Sequence, residues 1–242
     1  MSRRVRVVVS GLHKGRFVLD EDASRYVGKV HRLRAGQHVE LFDPESGLCA
    51  ERARIIGDRL PHCELEIDEV REAPAYEMSV TLLVAVGKND KPEQAVRDAT
   101  ALGADEVVFV QTERSVAKSS GQHRSDRLAR VAQQVARQCE RGRLPRILGP
   151  LAWSEVLHKD WQQPFICAFT EDAEPVLRAI QSSDLEHRLT LFVGPEGGFS
   201  DAEVESARAA GFRPVSLGPY VLRAESAYAF SLAVIRAAWL AR

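Results

Sequence analysis

From residue 74 onward, the sequence alternates short continuous apolar runs with longer segments of helical periodicity. Val80–Val86 is the first apolar run, and Val107–Val110, Phe165–Phe169 and Leu189–Val193 are three more. Runs of this length are typical of strands that are buried on both faces of a parallel sheet. The alternation therefore predicts an α/β domain with a mostly parallel sheet.

The segments between these runs have recognisable helix ends. Pro92 suits the first turn of a helix that reaches Leu102, and Gly103 suits its C-terminal cap. A long basic helix is predicted over about 124–138, and a last helix from near Glu225 to Trp239.

The first 70 residues follow a different pattern, with short strands and little helix. Segments 5–9, 38–42 and 64–70 have strand periodicity, and Asp43–Gly47 is a turn cluster. One helix is predicted from near Asp22 to about Lys29. Several short strands joined by turns predict a small β-barrel. Since the pattern changes near residue 73, we expect two domains, 1–73 and 74–242.

The composition is that of a folded protein, with 45% hydrophobic and 28% charged residues. No apolar run approaches the roughly 20 residues that span a bilayer, and the N-terminus lacks the apolar core of a signal peptide. The four cysteines are scattered, which disfavours a disulfide framework and a structural zinc site. We expect a reduced, cytoplasmic protein.

Positive charge is concentrated in two segments of a chain whose net charge is −1. Residues 1–35 and residues 113–146 each contain nine Lys and Arg against three Asp and Glu. Two basic segments in an otherwise acidic chain suggest a localised surface for a polyanion. The alternative is two solvated faces that never meet in space.

The most informative stretch is Val193–Glu203, in which a buried strand runs directly into a Gly-Pro-Glu-Gly-Gly loop. Its three glycines permit unusual backbone dihedrals and the close approach of a ligand. Ser200 is a good N-cap, and Glu203 stands at the capping-box position. Ligands of open α/β sheets bind at the carboxyl ends of strands. The loop is therefore a candidate binding site, with a plain strand–helix connection as the alternative.

The usual nucleotide motifs do not fit this loop. No Lys-Ser or Lys-Thr follows it, so it is not a P-loop. It also lacks the Gly-x-Gly-x-x-Gly spacing of a Rossmann dinucleotide site. A second loop, Leu217–Ala227, contains a Gly218-Pro219 turn and then Arg223 and Glu225 at the start of the last helix. Glu225 could be a simple helix-start residue, because carboxylates are favoured there by the helix dipole.

These two loops resemble those of the knotted SPOUT class of RNA methyltransferases, and more closely the 16S rRNA uracil-N3 methyltransferase (RsmE) family. The similarity covers nearly the whole chain. It includes segments 21–37, 88–91, 99–103, 112–116 and 138–145, the 194–200 loop, Leu217-Gly218-Pro219 and Leu222-Arg223. The chain departs from the family pattern at Arg97, Asp98, Glu140, Tyr220, Ala224 and Ser226. The donor loops are intact, and the departures fall on polar positions toward the RNA.

The resemblance implies a C-terminal trefoil-knot domain that binds S-adenosylmethionine (SAM), preceded by a PUA-like RNA-binding barrel. True knots are rare exceptions among protein folds. The implied donor-binding residues are Phe169, Thr170, Val193, Gly194, Pro195, Glu196, Gly197, Gly198, Leu217, Gly218, Leu222 and Arg223. No metal is implied, because the sulfonium of SAM is already an electrophile. The family also implies a homodimer, for which the apolar last helix is a candidate interface, with burial in its own domain as the alternative.

Arg223 and Glu225 are the implied catalytic residues. Arg223 would stabilise the anion that forms when uracil N3 loses its proton, or would hold a phosphate. Glu225 would act as a base or orient Arg223. The expected RNA contacts are Arg4, Arg6, Arg32, Arg34, Arg114, Lys118, Arg124, Arg141 and Arg143, since Arg and Lys bind phosphates.

The leading functional hypothesis is methylation of uracil N3 in 16S rRNA of the small subunit. Another RNA target or another atom is the alternative within the same enzyme class. A catalytically inactive RNA-binding paralogue that keeps the knot is the alternative outside it. A nucleotide-binding α/β enzyme would need a phosphate-binding glycine loop, which the sequence lacks.

Overall fold

The structure is a computed structural model that describes residues 5–85, 92–115, 122–183 and 188–241, with the side chains of 122–124 left out. The chain forms two compact units. The first unit comprises Met1–Ala75 and Gln133–Leu144, and the second comprises Tyr76–Ala132 and Pro145–Arg242. Within the described ranges, no helix has the length and apolar character needed to cross a membrane.

The first unit is built on a six-stranded mixed sheet. Its strands are β1 (Arg6–Val8), β2 (Gly15–Val18), β3 (His38–Asp43), β4 (Leu48–Gly57), β5 (Glu64–Ile67) and β6 (Arg71–Glu72). They are ordered β1-β3-β4-β5-β2, and β6 pairs with β4. The β1–β3 pair is parallel and the other pairs are antiparallel. Helix α1 (Glu21–Arg25) continues into a π-helical turn at Tyr26–Val30.

Alternation explains how these strands enclose a core. In β5, Leu65 and Ile67 are buried while Glu64 and Glu66 are only partly covered, as period-two alternation requires. Leu65 and Ile67 pack with Val7, Val39 and Ile55 in one hydrophobic cluster. The expected helix at Asp22–Lys29 is present as α1 and the π-helical turn.

The second unit contains a seven-stranded sheet in which every strand pair is parallel. Its strands are β7 (Ser79–Ala85), β8 (Glu106–Gln111), β9 (Arg146–Ala152), β10 (Pro164–Cys167), β11 (Glu174–Pro175), β12 (Arg188–Val193) and β13 (Arg213–Ser216). Their order is β11-β13-β10-β12-β7-β8-β9. The predicted α/β class and mostly parallel sheet are therefore confirmed.

Within the part of the chain that the structure describes, six helices accompany this sheet. They are α2 (Pro92–Ala101), α3 (Gln122–Cys139), α4 (Trp153–His158), α5 (Val176–Gln181), α6 (Asp201–Ala209) and α7 (Ala224–Leu240). From Gln133 onward α3 belongs to the first unit. The ends of α2 and α7 agree with the predicted ends to within one residue.

Among the strands that were not predicted, the two longest are β4 and β9, in which charges or turn residues interrupt the apolar pattern. In β4, Glu51, Arg52 and Arg54 break up the apolar sequence, yet Ala50, Ala53 and Ile55 are fully buried. In β9, Gly149 and Pro150 indicate a turn. A proline is tolerated there because β9 is an edge strand of the sheet.

Helix α7 is fixed to the sheet by a buried arginine. The Arg236 side chain, 4% exposed, donates to the carbonyl oxygen of Met78 at 2.6 Å and to that of Gly103. It lies 3.6 Å from a carboxylate oxygen of Asp105 and stacks on the Tyr76 ring, 4.1 Å from its centroid. These bonds compensate the cost of burying a guanidinium.

Candidate functional site

Three neighbouring strands of the second unit end side by side. In the order β13-β10-β12, Cys167 at the end of β10 is in register with Val193 of β12 and Val215 of β13. The strands are parallel, so the segments that follow them leave the same edge of the sheet. These segments enclose a cavity of about 350 Å³, which we call the strand-end cavity.

The lining of the strand-end cavity is mostly apolar. It consists of Arg114, Cys167, Ala168, Phe169, Thr170, Val193, Gly194, Pro195, Glu196, Gly197, Gly198, Phe199, Asp201, Val204, Val215, Ser216, Leu217, Tyr220, Val221, Leu222, Ala224 and Ala227. Burial raises the pKa of the Cys167 thiol to about 12, so this group stays neutral. An apolar cavity of this size with a few polar groups is typical of a site for a small organic molecule.

The glycine loop that follows β12 makes a tight turn along this cavity. The Gly198 N–H donates to the carbonyl oxygen of Pro195 at 2.8 Å, and Gly198 has a φ of +66°, a conformation that favours glycine. At Gly194, a Cβ atom would lie 3.0 Å from the Phe199 ring. The loop thus uses Gly198 for its turn and Gly194 for close packing.

An aromatic cluster supports the glycine loop. The rings of Phe192 and Phe199 meet edge to face, with centroids 4.8 Å apart, and Trp153 lies 5.5 Å from Phe192. The Trp153 indole N–H donates to the Ser206 hydroxyl of α6 at 3.1 Å. Both ends of the loop are therefore held by packing rather than left to solvent.

A capping box closes the loop at the start of α6, as the sequence predicts. The Ser200 hydroxyl accepts from the Glu203 N–H at 3.3 Å, and the Glu203 carboxylate accepts from the Ser200 N–H at 2.9 Å. The other carboxylate oxygen of Glu203 accepts from the Glu113 N–H at 2.7 Å. Glu203 is 6% exposed, so it joins the end of β8 to the glycine loop from inside the unit.

Arg114 extends this connection to the glycine loop itself. Its Nη1 donates to the carbonyl oxygens of Gly197 and of Phe199, the latter at 3.5 Å. Sequence reasoning assigned Arg114 to the RNA surface, whereas the structure places it in the lining of the strand-end cavity. Residues at the end of β8 leave the same edge of the parallel sheet as the glycine loop, but the sequence alone does not show that the two are neighbours.

The loop after β13 forms the opposite wall. The Ser216 hydroxyl accepts from the Gly218 N–H at 3.2 Å, and Gly218 has a φ of +121°. Beyond this turn, Tyr220 and Val221 line the cavity while remaining 79% and 76% exposed. Phe169, after β10, is 67% exposed, so three apolar side chains surround an open mouth.

The structure brings together most of the residues that the sequence assigned to the donor. Phe169, Thr170, Val193, Gly194, Pro195, Glu196, Gly197, Gly198, Leu217 and Leu222 all line the strand-end cavity. Gly218 and Arg223 are not in its lining. Arg223 is exposed at the N-cap of α7, next to the lining residues Leu222 and Ala224, and Glu225 is exposed in the first turn.

A second carboxyl group lies close to Glu225. Asp98 is on α2, a helix that packs against α7, and its Oδ1 accepts from Gln94 Nε2 at 2.8 Å. Burial raises the pKa of Asp98 above its ordinary value, and the negative charge of Glu225 raises it further. The Gln94 hydrogen bond and the Arg97 charge act in the opposite direction. The sequence singled out Asp98 only as a departure from the family pattern.

The residues assigned to RNA have varied environments. Arg6 is 5% exposed, pairs with Glu40 at 2.7 Å and donates to the Ala136 carbonyl at 2.8 Å, so it stabilises the interior of the first unit. Arg32, Arg34 and Arg143 are exposed. Arg141 is half-buried. Arg4, Lys118 and the Arg124 side chain lie outside the described residues. Among the side chains that the structure describes, no group of His, Cys, Asp and Glu could hold a metal ion.

Comparisons with known proteins agree with this geometry. The family described as RNA methyltransferase domain matches residues 74–236, which include all seven strands of the second unit. A ribosomal RNA small subunit methyltransferase E from a Synechocystis species is 30% identical over 240 residues, covering 98% of this chain and 78% of the relative. The chain belongs to the ribosomal RNA small subunit methyltransferase E family. A member from Bacillus subtilis is 30% identical over 233 residues, covering 90% of this chain and 89% of the relative.

Solved structures share the fold over nearly the full chain. A Legionella pneumophila methyltransferase, solved in complex with SAM, superposes with a TM-score of 0.85 at 25% identity and 98% coverage of both chains. A ribosomal RNA small subunit methyltransferase E from Neisseria gonorrhoeae, solved with SAM, gives a TM-score of 0.86 at 22% identity and 97% coverage of both chains. The second likeness shows the fold alone. The resemblance recognised in the sequence is therefore confirmed at the level of the family.

Proposed function

We propose that this chain transfers a methyl group from SAM to ribosomal RNA of the small subunit, at N3 of a uridine. The observation that carries the proposal is the strand-end cavity, formed by the loops after β10, β12 and β13 within the segment that matches the methyltransferase family. The relatives of this chain are named as methyltransferases of small-subunit ribosomal RNA, and the similar Legionella structure contains bound SAM.

The cavity suits the donor in size and chemistry. SAM, when bound, supplies an electrophilic methyl group on a sulfonium sulfur, so the protein contributes binding and orientation. Apolar side chains such as Val193, Leu217 and Leu222 would cover the adenosine, and the glycine loop would leave room for close backbone contact. The carboxylates of Glu196 and Asp201 would face the positively charged part of the ligand.

Arg223 and Glu225 are the proposed groups for the acceptor. Methylation of uracil N3 requires loss of the N3 proton, and a guanidinium near O2 or O4 would stabilise the resulting anion. Arg223 is exposed beside Leu222, so it is accessible to a nucleotide at the cavity mouth. Glu225, two residues later, would accept the proton or orient Arg223. Contact of Arg223 with a phosphate is the alternative role.

The RNA would approach through exposed basic residues. N3 lies on the Watson–Crick edge, so the target uridine must be unpaired or extruded. On the first unit, Arg32, Arg34 and Arg143 are exposed and available to phosphates. If the acceptor is a nucleotide other than the proposed uridine, the positions that depart from the family pattern would select it. These positions are Arg97, Asp98, Tyr220, Ala224 and Ser226.

We further propose that the chain has two domains, acts in the cytoplasm and forms a homodimer. Residues 1–73 would form the PUA-like RNA-binding domain and 74–242 the SPOUT domain with its knot, although Gln133–Leu144 belongs to the same compact unit as the N-terminal residues. In α7, Tyr228, Leu232 and Ile235 are buried within the second unit, so they are not available to a partner. The apolar residues of α7 that remain exposed are Phe230, Ala233, Ala237 and Leu240, whose helical spacing brings them to one face. That face is the proposed dimer interface.

The test is methyl transfer from labelled SAM to purified small subunits and to free rRNA, both from cells that lack this protein. We expect label at N3 of a single uridine, located by mass spectrometry of the modified nucleotide. Label at another atom or in another RNA would overturn the uridine assignment but keep the methyltransferase. Donor binding without any transfer would favour the inactive RNA-binding alternative.

A further inference from the structure

Arg114 provides the single positive charge among the described lining residues of the strand-end cavity. The other charged lining residues are the acids Glu196 and Asp201. A ligand held only by apolar contacts and these two acids would not need a guanidinium. The placement of Arg114 therefore raises the question of which ligand group it faces.

The segment that carries Arg114 is a fixed turn. The Ser115 hydroxyl accepts from the Thr112 N–H at 2.6 Å and donates to the Thr112 carbonyl at 2.8 Å. Between them, the Glu113 N–H is bound to the buried Glu203 carboxylate at 2.7 Å. The guanidinium is thus presented from a pre-organised backbone, which lowers the entropy cost of using it for binding.

The guanidinium of Arg114 has unused hydrogen-bonding capacity. Its Nη1 donates to the carbonyl oxygens of Gly197 and Phe199, whereas its Nε and Nη2 have no partner among the described residues. The two groups that accept hydrogen bonds from Arg114 in this structure are neutral carbonyl oxygens. A carboxylate is a stronger acceptor and matches the planar fork of a guanidinium with two oxygens.

We propose that Arg114 binds the carboxylate of the amino-acid part of SAM. The inference rests on the proposed function, since it takes the strand-end cavity as the donor site. Charge complementarity supports it: the amino-acid part carries one carboxylate and one ammonium beside the sulfonium. The cavity provides one guanidinium and two carboxylates to match these groups. Arg114 is then a specificity residue for the donor, not a phosphate contact for RNA.

The test compares two ligands that differ only in this carboxylate. Binding of SAM and of its decarboxylated analogue is measured by calorimetry on the full-length wild-type chain and on Arg114→Met. We expect the wild-type protein to bind SAM about tenfold more tightly than the analogue, since one charge-assisted contact at an exposed site is gained. In Arg114→Met this difference disappears, because SAM affinity falls while that of the analogue is unchanged or improved. Arg114→Lys keeps part of the preference.

The outcomes separate this inference from the proposed function. Equal affinity of the wild-type chain for both ligands overturns the role of Arg114 without any variant. An equal loss for both ligands in Arg114→Met also overturns it, since Arg114 then only shapes the glycine loop. If the wild-type chain binds neither ligand, the proposed function itself fails. Arg188→Met is the charge-matched control. Arg188 is exposed at the start of β12, at the opposite end of the strand from the glycine loop. This variant should keep the full preference for SAM over the decarboxylated analogue.

Discussion

The Glu203 carboxylate on α6 accepts a hydrogen bond of 2.7 Å from the backbone N–H of Glu113, which is 90 residues earlier in the chain. The same carboxylate accepts from the Ser200 N–H at 2.9 Å. One buried acid therefore ties the end of β8 to the loop after β12. The shape of the strand-end cavity depends on this connection, because Arg114 and the glycine loop lie on either side of it.

Replacement of Glu203 by alanine should destabilise the protein by about 2 kcal/mol, because two partly buried backbone N–H groups lose their acceptor. Urea unfolding measures the change in the free energy of unfolding. SAM affinity should fall as well, since the glycine loop loses an anchor. Glu205→Ala is the control on the same helix, where an exposed carboxylate pairs with Arg208. A Glu203→Ala variant as stable as this control would contradict the role of Glu203.

Gly197→Val should abolish SAM binding while the fold persists. A Cβ at Gly197 would lie 3.3 Å from Cδ of Arg114, so the added side chain stands between the loop and Arg114. Gly197 is exposed and needs no unusual φ, so we expect little loss of thermal stability. Calorimetric titration measures the affinity, with Ala202→Val on the exposed side of α6 as the control. Unchanged affinity in Gly197→Val would exclude the glycine loop from the donor site.

Arg223→Ala should reduce the rate of methyl transfer about a hundredfold, the size expected when one group that stabilises a developing anion is removed. SAM affinity should change little, because Arg223 is not in the cavity lining. Single-turnover transfer to small subunits measures the rate. Arg188→Ala, at an exposed arginine at the start of β12 and far from the glycine loop, is the comparison. Near-normal turnover in Arg223→Ala would exclude Arg223 from catalysis.

Asp98→Asn should stabilise the protein above neutral pH. Burial raises the pKa of Asp98, so the folded state binds this proton more tightly than the unfolded state. Stability from this group is therefore present at low pH and is lost as the pH rises through the raised pKa. The neutral amide of asparagine does not ionise, so this loss of stability is removed. Its carbonyl oxygen can still accept the hydrogen bond from Gln94. Unfolding free energies from pH 4 to 8 should show a gain that grows with pH; a gain independent of pH would contradict the assignment. Asp68→Asn, at an exposed site of the first unit, is the control.

Most of the second unit could be predicted from the sequence, because the patterns that identify its strands and helices are local. Continuous apolar runs identify β7, β8, β10 and β12, and parallel strands bring their ends together. The glycine loop and the capping box were therefore predicted with their correct positions. The family resemblance rests on these same loops.

Long-range contacts explain what the sequence missed. The burial of Arg6 depends on Glu40, its register partner across the β1–β3 pair, and on a carbonyl oxygen from α3. The connection between Glu203 and Glu113 likewise depends on how the strands are ordered in the sheet. Residue type gave no indication of either contact, since arginines and glutamates are usually exposed. The placement of Arg114 follows only when the end of β8 is known to lie beside the glycine loop.

A crystal structure of the full chain grown with SAM tests the central claim most directly. We predict density for the folded donor in the strand-end cavity, between the glycine loop at Gly194–Phe199 and the segment Leu217–Leu222, with its methyl group toward the exposed mouth near Arg223. SAM bound elsewhere on the chain, or its absence from this cavity at saturating concentration, would contradict the account.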